Sequence, residues 1–336
     1  MGGDKTRFAI IGAGAISQGY AQAFQTCDNE VEVAAVVDTR AEAAKSLAEV
    51  LGCQWFDSHG AIPDEFEIDA VLVCTPPISH PEICLHFIER KVHVLCEKPF
   101  AVNSAEAERV VEAGREHGVL VTMASKFRYV DDVIRAKQIV DSGILGDIVL
   151  FENAFTARVD MSNRWNSDPL VGGGGVLIDN GTHSVDICRY VLGPLAQVQV
   201  MEGKRSQDLK VEDTVRIFVR SEGGVIGNID LSWSINKELD RYISVYGTQG
   251  TVFVGWQESK YRQASAPQWT TFGNGYDKVQ AFRSQICNFA RAINGDEILL
   301  INGTDALASV RVVEAAYDSL RENHWREVNN GVAALA

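Results

Sequence analysis

Three side chains in this sequence have the chemistry to move a proton or to stabilise a developing charge. Asp179 and His183 are four residues apart, so on a helix they would share one face, where a carboxylate can orient an imidazole that acts as a general base. Lys98 carries an amine that could stabilise a substrate oxyanion. These residues are also typical of a capping Asp, a structural His and a surface Lys. No third ligand at a recognisable spacing indicates a metal site.

A glycine-rich turn follows the first predicted strand and opens the first predicted helix. Gly12 would permit the tight turn, and Gly14 would let the backbone approach a pyrophosphate, which the N–H groups of a helix N-terminus can bind. Ser17 replaces the third glycine of this pattern, and we expect it to loosen helix–strand packing slightly. The predicted phosphate-binding residues are Gly12, Ala13, Gly14, Ala15 and Ile16.

An acidic residue follows the second predicted strand, where dinucleotide-binding folds hold the adenosine ribose. The carboxylate of Asp38 would accept hydrogen bonds from ribose hydroxyls and repel a 2′-phosphate. Arg40 could instead pair with that phosphate. Together with Thr39, these residues predict a dinucleotide site with NAD as the cofactor and leave NADP open.

Two further loops follow predicted strands of the same sheet, one after Cys74 and one after Cys96. Ligands of open α/β sheets bind beyond the carboxyl ends of the strands, so both loops are candidates for the wall beside the nicotinamide ribose. The prolines of the first loop restrict its backbone, as suits such a wall. The candidate residues in these loops are Thr75, Pro76, Pro77, His80, Glu97 and Lys98.

The first third of the chain must position these loops, and it alternates short apolar runs with helical patterns. Such alternation predicts a doubly wound parallel sheet, with helices around Tyr20, over about 81–90, and from an N-cap at Ser104 to Gly118. Predicted strands lie at 7–11, 31–37, 70–74, 92–96 and 119–123.

After about Lys126 the pattern changes to helices set apart from consecutive strands, which predicts an α+β domain with a large, mostly antiparallel, open sheet. We therefore predict a Rossmann domain over 1–125 and a substrate-binding and oligomerisation domain over 126–336. Predicted helices cover about 129–142, 176–192, 277–293 and 304–320, and predicted strands cover 147–156, 197–201, 214–220, 225–233, 241–246 and 251–254.

Composition narrows the classes of function. The formal charge of −14 opposes nonspecific nucleic-acid binding, which requires a basic surface. The longest apolar stretch is too short to span a bilayer, and no secretory leader is evident, so no membrane partner is expected. Seven scattered cysteines without a C-x-x-C pair indicate reduced thiols in a cytoplasmic protein.

Taken together, the motifs resemble those of the Gfo/Idh/MocA family, the glucose-fructose oxidoreductase and inositol dehydrogenase superfamily, along essentially the whole chain. The motifs are Gly12-x-Gly14, Asp38, Thr75-Pro76-Pro77-x-x-His80, Glu97-Lys98-Pro99 and Gly173-Gly174-Gly175-x-x-x-Asp179-x-x-x-His183.

The resemblance implies NAD(P)-dependent hydride transfer from a hydroxyl-bearing carbon of a sugar, sugar derivative or cyclic polyol. It places Lys98, Asp179 and His183 at the positions of the catalytic trio and implies a cis peptide before Pro99. Lys126 stands where the family often has an arginine, near the cofactor or substrate. The open sheet of the second domain implies a homodimer or homotetramer.

Two aspects of function stay open at the level of sequence. Arg158, Arg164 and Trp165 lie in a loop before the glycine run, where they could contact a sugar or hold an anionic group, or simply belong to a surface loop. The competing functions are a hydrolase that retains NAD, a dinucleotide-sensing regulator without catalysis, and a purely structural oligomer.

Overall fold

The computed structural model describes residues 5–27 and 29–330 and contains two compact units. The first comprises Met1–Tyr129 and Asp277–Leu307, and the second comprises Val130–Tyr276 and Ala308–Ala336. The segment Asp277–Leu307 therefore packs with the N-terminal unit, whereas the sequence-based boundary placed it in the second domain. Its helix carries buried Phe282, Ile286 and Phe289, which join the core of the first unit.

The first unit is built on a parallel six-stranded sheet in the order β3-β2-β1-β4-β5-β6, as predicted for a doubly wound fold. Five of its strands match the predicted ones; β3 and α2 were not predicted. The elements are β1 (Thr6–Ile11), α1 (Ala15–Gln25), β2 (Val31–Val37), α2 (Ala41–Leu51), β3 (Gln54–Phe56), β4 (Ala70–Val73), α3 (His80–Glu89), β5 (His93–Glu97), α4 (Ser104–His117) and β6 (Val121–Ala124).

Helix α4 shows how local sequence sets helix ends in this unit. Asn103, and not the predicted Ser104, is its N-cap, because the Asn103 side chain accepts a hydrogen bond of 2.9 Å from the backbone N–H of Glu106. The helix ends at Gly118, which adopts a left-handed conformation with φ of 68°, as the sequence predicted.

The second unit is built on a nine-stranded sheet in which β7 and β10 pair in parallel and the other pairs are antiparallel. The predicted hairpins at 223–224 and 247–250 join β9 to β10 and β11 to β12. The elements are α5 (Asp131–Asp141), β7 (Ile148–Thr156), α6 (Pro169–Gly172), α7 (Val176–Leu192), β8 (Leu195–Glu202), β9 (Thr214–Ser221), β10 (Ile226–Ser232), β11 (Arg241–Gly247), β12 (Gly250–Gly255), β13 (Ser259–Gln263), β14 (Thr270–Gly273), α8 (Lys278–Ile293, in the first unit), α9 (Gly303–Glu322) and β15 (Arg326–Glu327).

The two faces of the nine-stranded sheet differ in character. Helix α7 packs on β7, β9 and β10 and covers buried side chains such as Ile217, Ile229 and Leu231. The opposite face is a mixture of polar and apolar side chains around a shallow depression that Glu152, Arg216, Phe218, Asn228, Asp230 and Ser244 help to line. Among the described residues, no helix combines the length and apolar character needed to cross a bilayer.

Candidate active site

The glycine turn after β1 has the backbone that the sequence pattern predicts. Gly12 has φ of 102°, and a Cβ at this position would lie 2.8 Å from the carbonyl oxygen of Cys74, so glycine is required. A Cβ at Gly14 would meet no protein atom within 4 Å. Packing of the protein itself does not demand glycine at this position, which fits close approach of a ligand to the backbone at the N-terminus of α1.

Ser17 adds a hydrogen bond to this turn, which its size relative to glycine did not predict. Its side chain is fully buried, and its hydroxyl donates a hydrogen bond of 2.5 Å to the carbonyl oxygen of Gly12. The hydroxyl also ties the first turn of α1 to the end of β1, so the turn is held by a side chain as well as by backbone geometry.

Asp38 and Arg40 form a connected pair beside the turn. One carboxylate oxygen of Asp38 accepts from the backbone N–H of Ala13 at 2.8 Å, and the other accepts from the backbone N–H and the Nε of Arg40 at 2.8 and 3.1 Å. Burial alone would raise the pKa of Asp38, but the bonds from Arg40 and Ala13 outweigh it and hold the pKa below its usual value. Asp38 is therefore a carboxylate at neutral pH, and Arg40 is engaged with it. Thr39 between them is exposed.

The loop after β4 is braced internally. The Ser79 hydroxyl donates to the Thr75 hydroxyl and to the Pro76 carbonyl oxygen, each at 2.8 Å. The ring nitrogens of His80 lie 2.8 Å from the Thr75 carbonyl oxygen and 2.9 Å from that of Pro99. The exposure of His80 is 0%, and its burial lowers its pKa. His80 thus joins two loops at the carboxyl edge of the sheet, and the cofactor contact expected of it stays a prediction.

Glu97 fixes the backbone from which Lys98 projects. Its buried carboxylate accepts from the Tyr20 hydroxyl at 2.7 Å and from the Lys98 backbone N–H at 3.0 Å. Burial raises the pKa of Glu97, while the charges of Lys98 and Lys126 and the Tyr20 bond act in the opposite direction. The Lys98–Pro99 peptide is cis, as the resemblance implied. The half-buried Lys98 side chain starts from a backbone whose N–H is held by the Glu97 carboxylate.

Sequence reasoning missed the contribution of α8 to this region. The centroids of its Phe282 ring and of the Tyr20 ring are 4.1 Å apart. The amines of Lys126 and Lys278 lie 5.5 and 5.6 Å from the centroid of the Phe282 ring. Lys126, predicted near cofactor or substrate, thus stands over an aromatic face in the first unit. Because α8 lies more than 150 residues beyond Lys126 in sequence, no local pattern could have linked them.

In the second unit, helix α7 carries the predicted acid–base pair. Asp179 lies in the first turn and is partly exposed, and His183 follows one turn later with 5% exposure. The spacing therefore does place both side chains on one face of a helix. A carboxylate one turn before an imidazole can orient it and stabilise its protonated form, which suits a general base.

A buried carboxylate holds the N-terminus of α7. Glu212 Oε1 accepts from the backbone N–H groups of Gly175 and Leu177 at 2.9 and 3.0 Å and from the Tyr317 hydroxyl at 2.8 Å. Burial raises the pKa of Glu212, although these three donors oppose the shift. A Cβ at Gly174 would overlap the Tyr317 hydroxyl, and one at Gly175 would lie 2.1 Å from the Glu212 carbonyl oxygen. Packing around this cap therefore requires glycine at positions 174 and 175.

The residues predicted to meet substrate lie on the exposed segment between β7 and α6. Arg158 and Arg164 are exposed, and Trp165 retains 46% of its surface. Gln207 anchors the segment, since its side chain accepts from Met161 N–H at 3.0 Å and donates to the Val159 carbonyl oxygen at 3.0 Å. Within the described part of the chain, no group of three His, Cys, Asp or Glu side chains is arranged to hold a metal.

Comparisons with known proteins agree with the motifs. Residues 6–125 match the Gfo/Idh/MocA oxidoreductase family with its NAD-binding Rossmann fold, and residues 133–253 match the C-terminal domain of the same family. The chain belongs to the Gfo/Idh/MocA family. Its first unit is accordingly the NAD-binding domain of this family, and the turn at Gly12 and Gly14 and the carboxylate of Asp38 fit a dinucleotide.

Several family members illustrate the likeness. Myo-inositol 2-dehydrogenase of Thermotoga maritima is 27% identical over 254 residues, which cover 74% of each chain. D-glucoside 3-dehydrogenase of Escherichia coli is 32% identical over 190 residues, covering 56% of this chain and 54% of the relative. The structure of levoglucosan dehydrogenase in complex with NADH and levoglucosan superimposes with a TM-score of 0.91 at 19% identity, covering 98% of this chain and 100% of that one.

Proposed function

We propose that this Gfo/Idh/MocA protein oxidises a hydroxyl-bearing carbon of a sugar, sugar derivative or cyclic polyol, with NAD as the hydride acceptor. The observation that carries the proposal is the Asp179–His183 pair, held on a helix with a fixed N-terminus in a chain whose other unit is an NAD-binding domain. The names of relatives that act on inositol and on glucosides support the substrate class.

In the proposed reaction each residue has a separate task. His183 takes the proton from the substrate hydroxyl, and Asp179 orients the imidazole and stabilises its charge. Lys98 stabilises the oxyanion that develops as the proton leaves. Bound NAD would supply the acceptor for the hydride of the hydroxyl-bearing carbon.

The cofactor site favours NAD over NADP in this proposal. A 2′-phosphate would meet the ionised carboxylate of Asp38, whose hydrogen bonds occupy Arg40. Gly12, Ala13, Gly14, Ala15 and Ile16 would cradle the pyrophosphate, and Thr75, Pro76 and Pro77 would border the nicotinamide ribose. Glu97 and His80 act indirectly, through the loops they hold.

We further assign Arg158, Arg164 and Trp165 to substrate recognition. A tryptophan face can pack on the C–H groups of a sugar, and a guanidinium can hold a phosphate or carboxylate. The anchoring of this segment by Gln207 supports a defined loop conformation.

A substrate screen tests the proposed function. The purified protein is mixed with sugars, inositols, sugar phosphates and nucleotide sugars, each with NAD or NADP, and the absorbance of the reduced nicotinamide is followed. We expect steady formation of free NADH with at least one neutral sugar or polyol. Turnover of a glycoside without release of NADH would instead indicate a hydrolase that retains its cofactor.

We also propose that the uncovered face of the nine-stranded sheet binds a second copy of this chain, giving a homodimer or homotetramer. Half-buried Phe218 lies on this face beside Arg216, whose guanidinium pairs with Asp230 at 2.6 Å. Mixed apolar and charged surfaces of this kind suit a self-complementary, two-fold interface. Light scattering should give a multiple of the 36.8 kDa chain mass, and a monomer at micromolar concentration would contradict the proposal.

We propose, finally, that the protein is located in the cytoplasm. The support is its seven free cysteines, which suit a reducing compartment. Fractionation of the source cells, followed by detection of the native protein, would test the location.

A further inference from the structure

Two cysteines far apart in sequence meet inside the first unit. Cys27 follows the C-terminal end of α1, and Cys287 lies in the middle of α8. Their sulfur atoms are 3.0 Å apart, with the Cys287 thiol donating to Cys27 Sγ. A disulfide bond measures ~2.05 Å between sulfurs, so about 1 Å of approach separates this pair from a covalent bond.

The surroundings of the pair hold it in place. Three successive contacts join the segment that contains α1 to helix α8, in the same order along both. They are Tyr20 with Phe282, Cys27 with Cys287, and Glu30 with Arg291. The Glu30–Arg291 ion pair is bidentate, at 2.7 and 2.8 Å, and lies one turn of α8 beyond Cys287. The sulfur contact therefore lies between an aromatic contact and an ion pair that join the same two segments of the chain.

The surroundings of the two thiols shift their pKa values in opposite directions. The hydrogen bond from Cys287 and the positive charge of Arg283 lower the pKa of Cys27 despite its burial. The same contact and burial raise the pKa of Cys287. By contrast, burial raises the pKa of Cys53 to about 11. These shifts, together with the 3.0 Å contact, favour Cys27 as the attacking thiolate and Cys287 as the resolving thiol.

We propose that Cys27 and Cys287 form a disulfide when the protein reacts with hydrogen peroxide, and that this bond stabilises the first unit against thermal unfolding. The Cys27 thiolate attacks the peroxide, forming an S–O bond and breaking the O–O bond with release of hydroxide, which is protonated to water. The Cys287 sulfur then attacks Cys27 Sγ, and water leaves as the S–S bond forms. Two thiols are oxidised, and one peroxide is reduced to two molecules of water.

The low exposure of the two cysteines limits which oxidants can reach their sulfur atoms. Cys27 and Cys287 are only 3% and 6% exposed, which favours a small oxidant such as a peroxide over a bulky disulfide. The bond would fasten α8 to the end of α1, at the opposite end from the glycine turn. It would also close a loop that contains all of residues 130–276, so it would constrain the unfolded chain strongly.

Alkylation and peptide mapping test the proposal. The reduced protein is treated with hydrogen peroxide, denatured and alkylated. We expect five alkyl groups instead of seven, with a linked peptide joining Cys27 and Cys287. The linkage should be absent from Cys27→Ser and Cys287→Ser and present in the matched control Cys53→Ser.

Thermal unfolding provides the second readout. Oxidation should raise the Tm of the wild type by roughly 5 °C, and dithiothreitol should reverse the shift. Cys27→Ser, which keeps the size of the side chain, should show no such rise. Seven alkylated thiols after peroxide treatment, a linkage between other cysteines, or sulfinic acid at Cys27 with Cys287 still alkylatable would each overturn the proposal.

Discussion

In the first unit, the turn that shapes the dinucleotide site is held by residues close together in sequence, whereas the helix of the Asp179–His183 pair is held from distant segments. Gly12, Ser17 and Asp38 all lie within the first β-α-β stretch. Helix α7 depends on Glu212, before β9, and Tyr317, in α9. The turn can therefore be recognised from a short sequence motif, whereas the cap of α7 forms only when distant segments of the second unit come together.

The two units also differ in the pKa shift of the carboxylate that each helix start relies on, Asp38 in the first and Glu212 in the second. Asp38 keeps a lowered pKa because donors outweigh its burial, so it is a charge presented to a ligand. Glu212 has a raised pKa because its burial outweighs three donors, so it is a structural group turned inward. We propose that the first carboxylate selects the cofactor, and that the second holds the helix that performs the chemistry.

Removing the Lys98 amine should have the largest effect on activity. Lys98→Met keeps the length of the side chain but removes its charge, so we expect kcat to fall by about two to four orders of magnitude, the usual worth of a group acting in the transition state. Steady-state kinetics on the best substrate measures this. Lys45→Met, on the exposed surface of α2, is the matched control and should retain kcat. Unchanged kcat in Lys98→Met would show that the lysine is structural.

Removing the cap of α7 should have the next largest effect. Glu212→Ala leaves three donors without their acceptor, so we expect the free energy of unfolding to fall by about 2–4 kcal/mol. Urea denaturation measures the loss. At a temperature where the variant stays folded, kcat should fall by about tenfold or more, while NAD affinity stays within about twofold. Loss of NAD binding with intact kcat would reverse the roles assigned to the two units.

Replacing Asp38 should change selectivity and leave the chemistry unaffected. Asp38→Ser removes the charge that opposes a 2′-phosphate and releases Arg40 to pair with it, so the ratio of kcat/KM for NADP to that for NAD should rise by about tenfold or more. The double variant Asp38→Ser/Arg40→Ala should lose most of this gain. A wild type that already prefers NADP would show that Arg40 governs the site.

The smallest expected effect is the pH dependence of stability that Glu212 contributes. Because the folded-state pKa of Glu212 is raised, its contribution is fully present below its unfolded pKa of about 4.3 and is lost as pH rises through the folded value. Glu212→Gln, which keeps an acceptor oxygen but cannot ionise, should lack this loss. Denaturation of both proteins across the acid range measures it, and parallel curves would exclude Glu212 as the titrating group.

Much of the architecture could be predicted from the sequence because both sheets rest on clear local patterns. The parallel strands are continuous apolar runs, and the antiparallel ones are joined by glycine turns at 223–224 and 247–250. Strand β3 has three residues, two of them exposed, so it lacks the burial pattern that marks a strand. The segment Asp277–Leu307 could not be assigned to the first unit, because an amphipathic helix does not specify its partner.

The candidate site could be predicted from the sequence only in part. Residue types and spacing pointed to Gly12, Asp38 and the Asp179–His183 pair as candidates. They could not reveal that Ser17 bonds the Gly12 carbonyl, that His80 is buried between two loops, or that Glu212 caps α7. Each of these depends on contacts whose partners only the folded chain brings together.

The most direct test of the central claim is a single-turnover experiment on His183→Ala. Protein in excess over the best substrate is mixed with NAD, formation of NADH is followed by absorbance, and NAD affinity is measured separately by titration. We expect a rate at least about a hundredfold below that of the wild type, with NAD affinity within about twofold, because the proposed role of His183 concerns the substrate proton only. Wild-type rates in His183→Ala would contradict a proton-transfer role for helix α7.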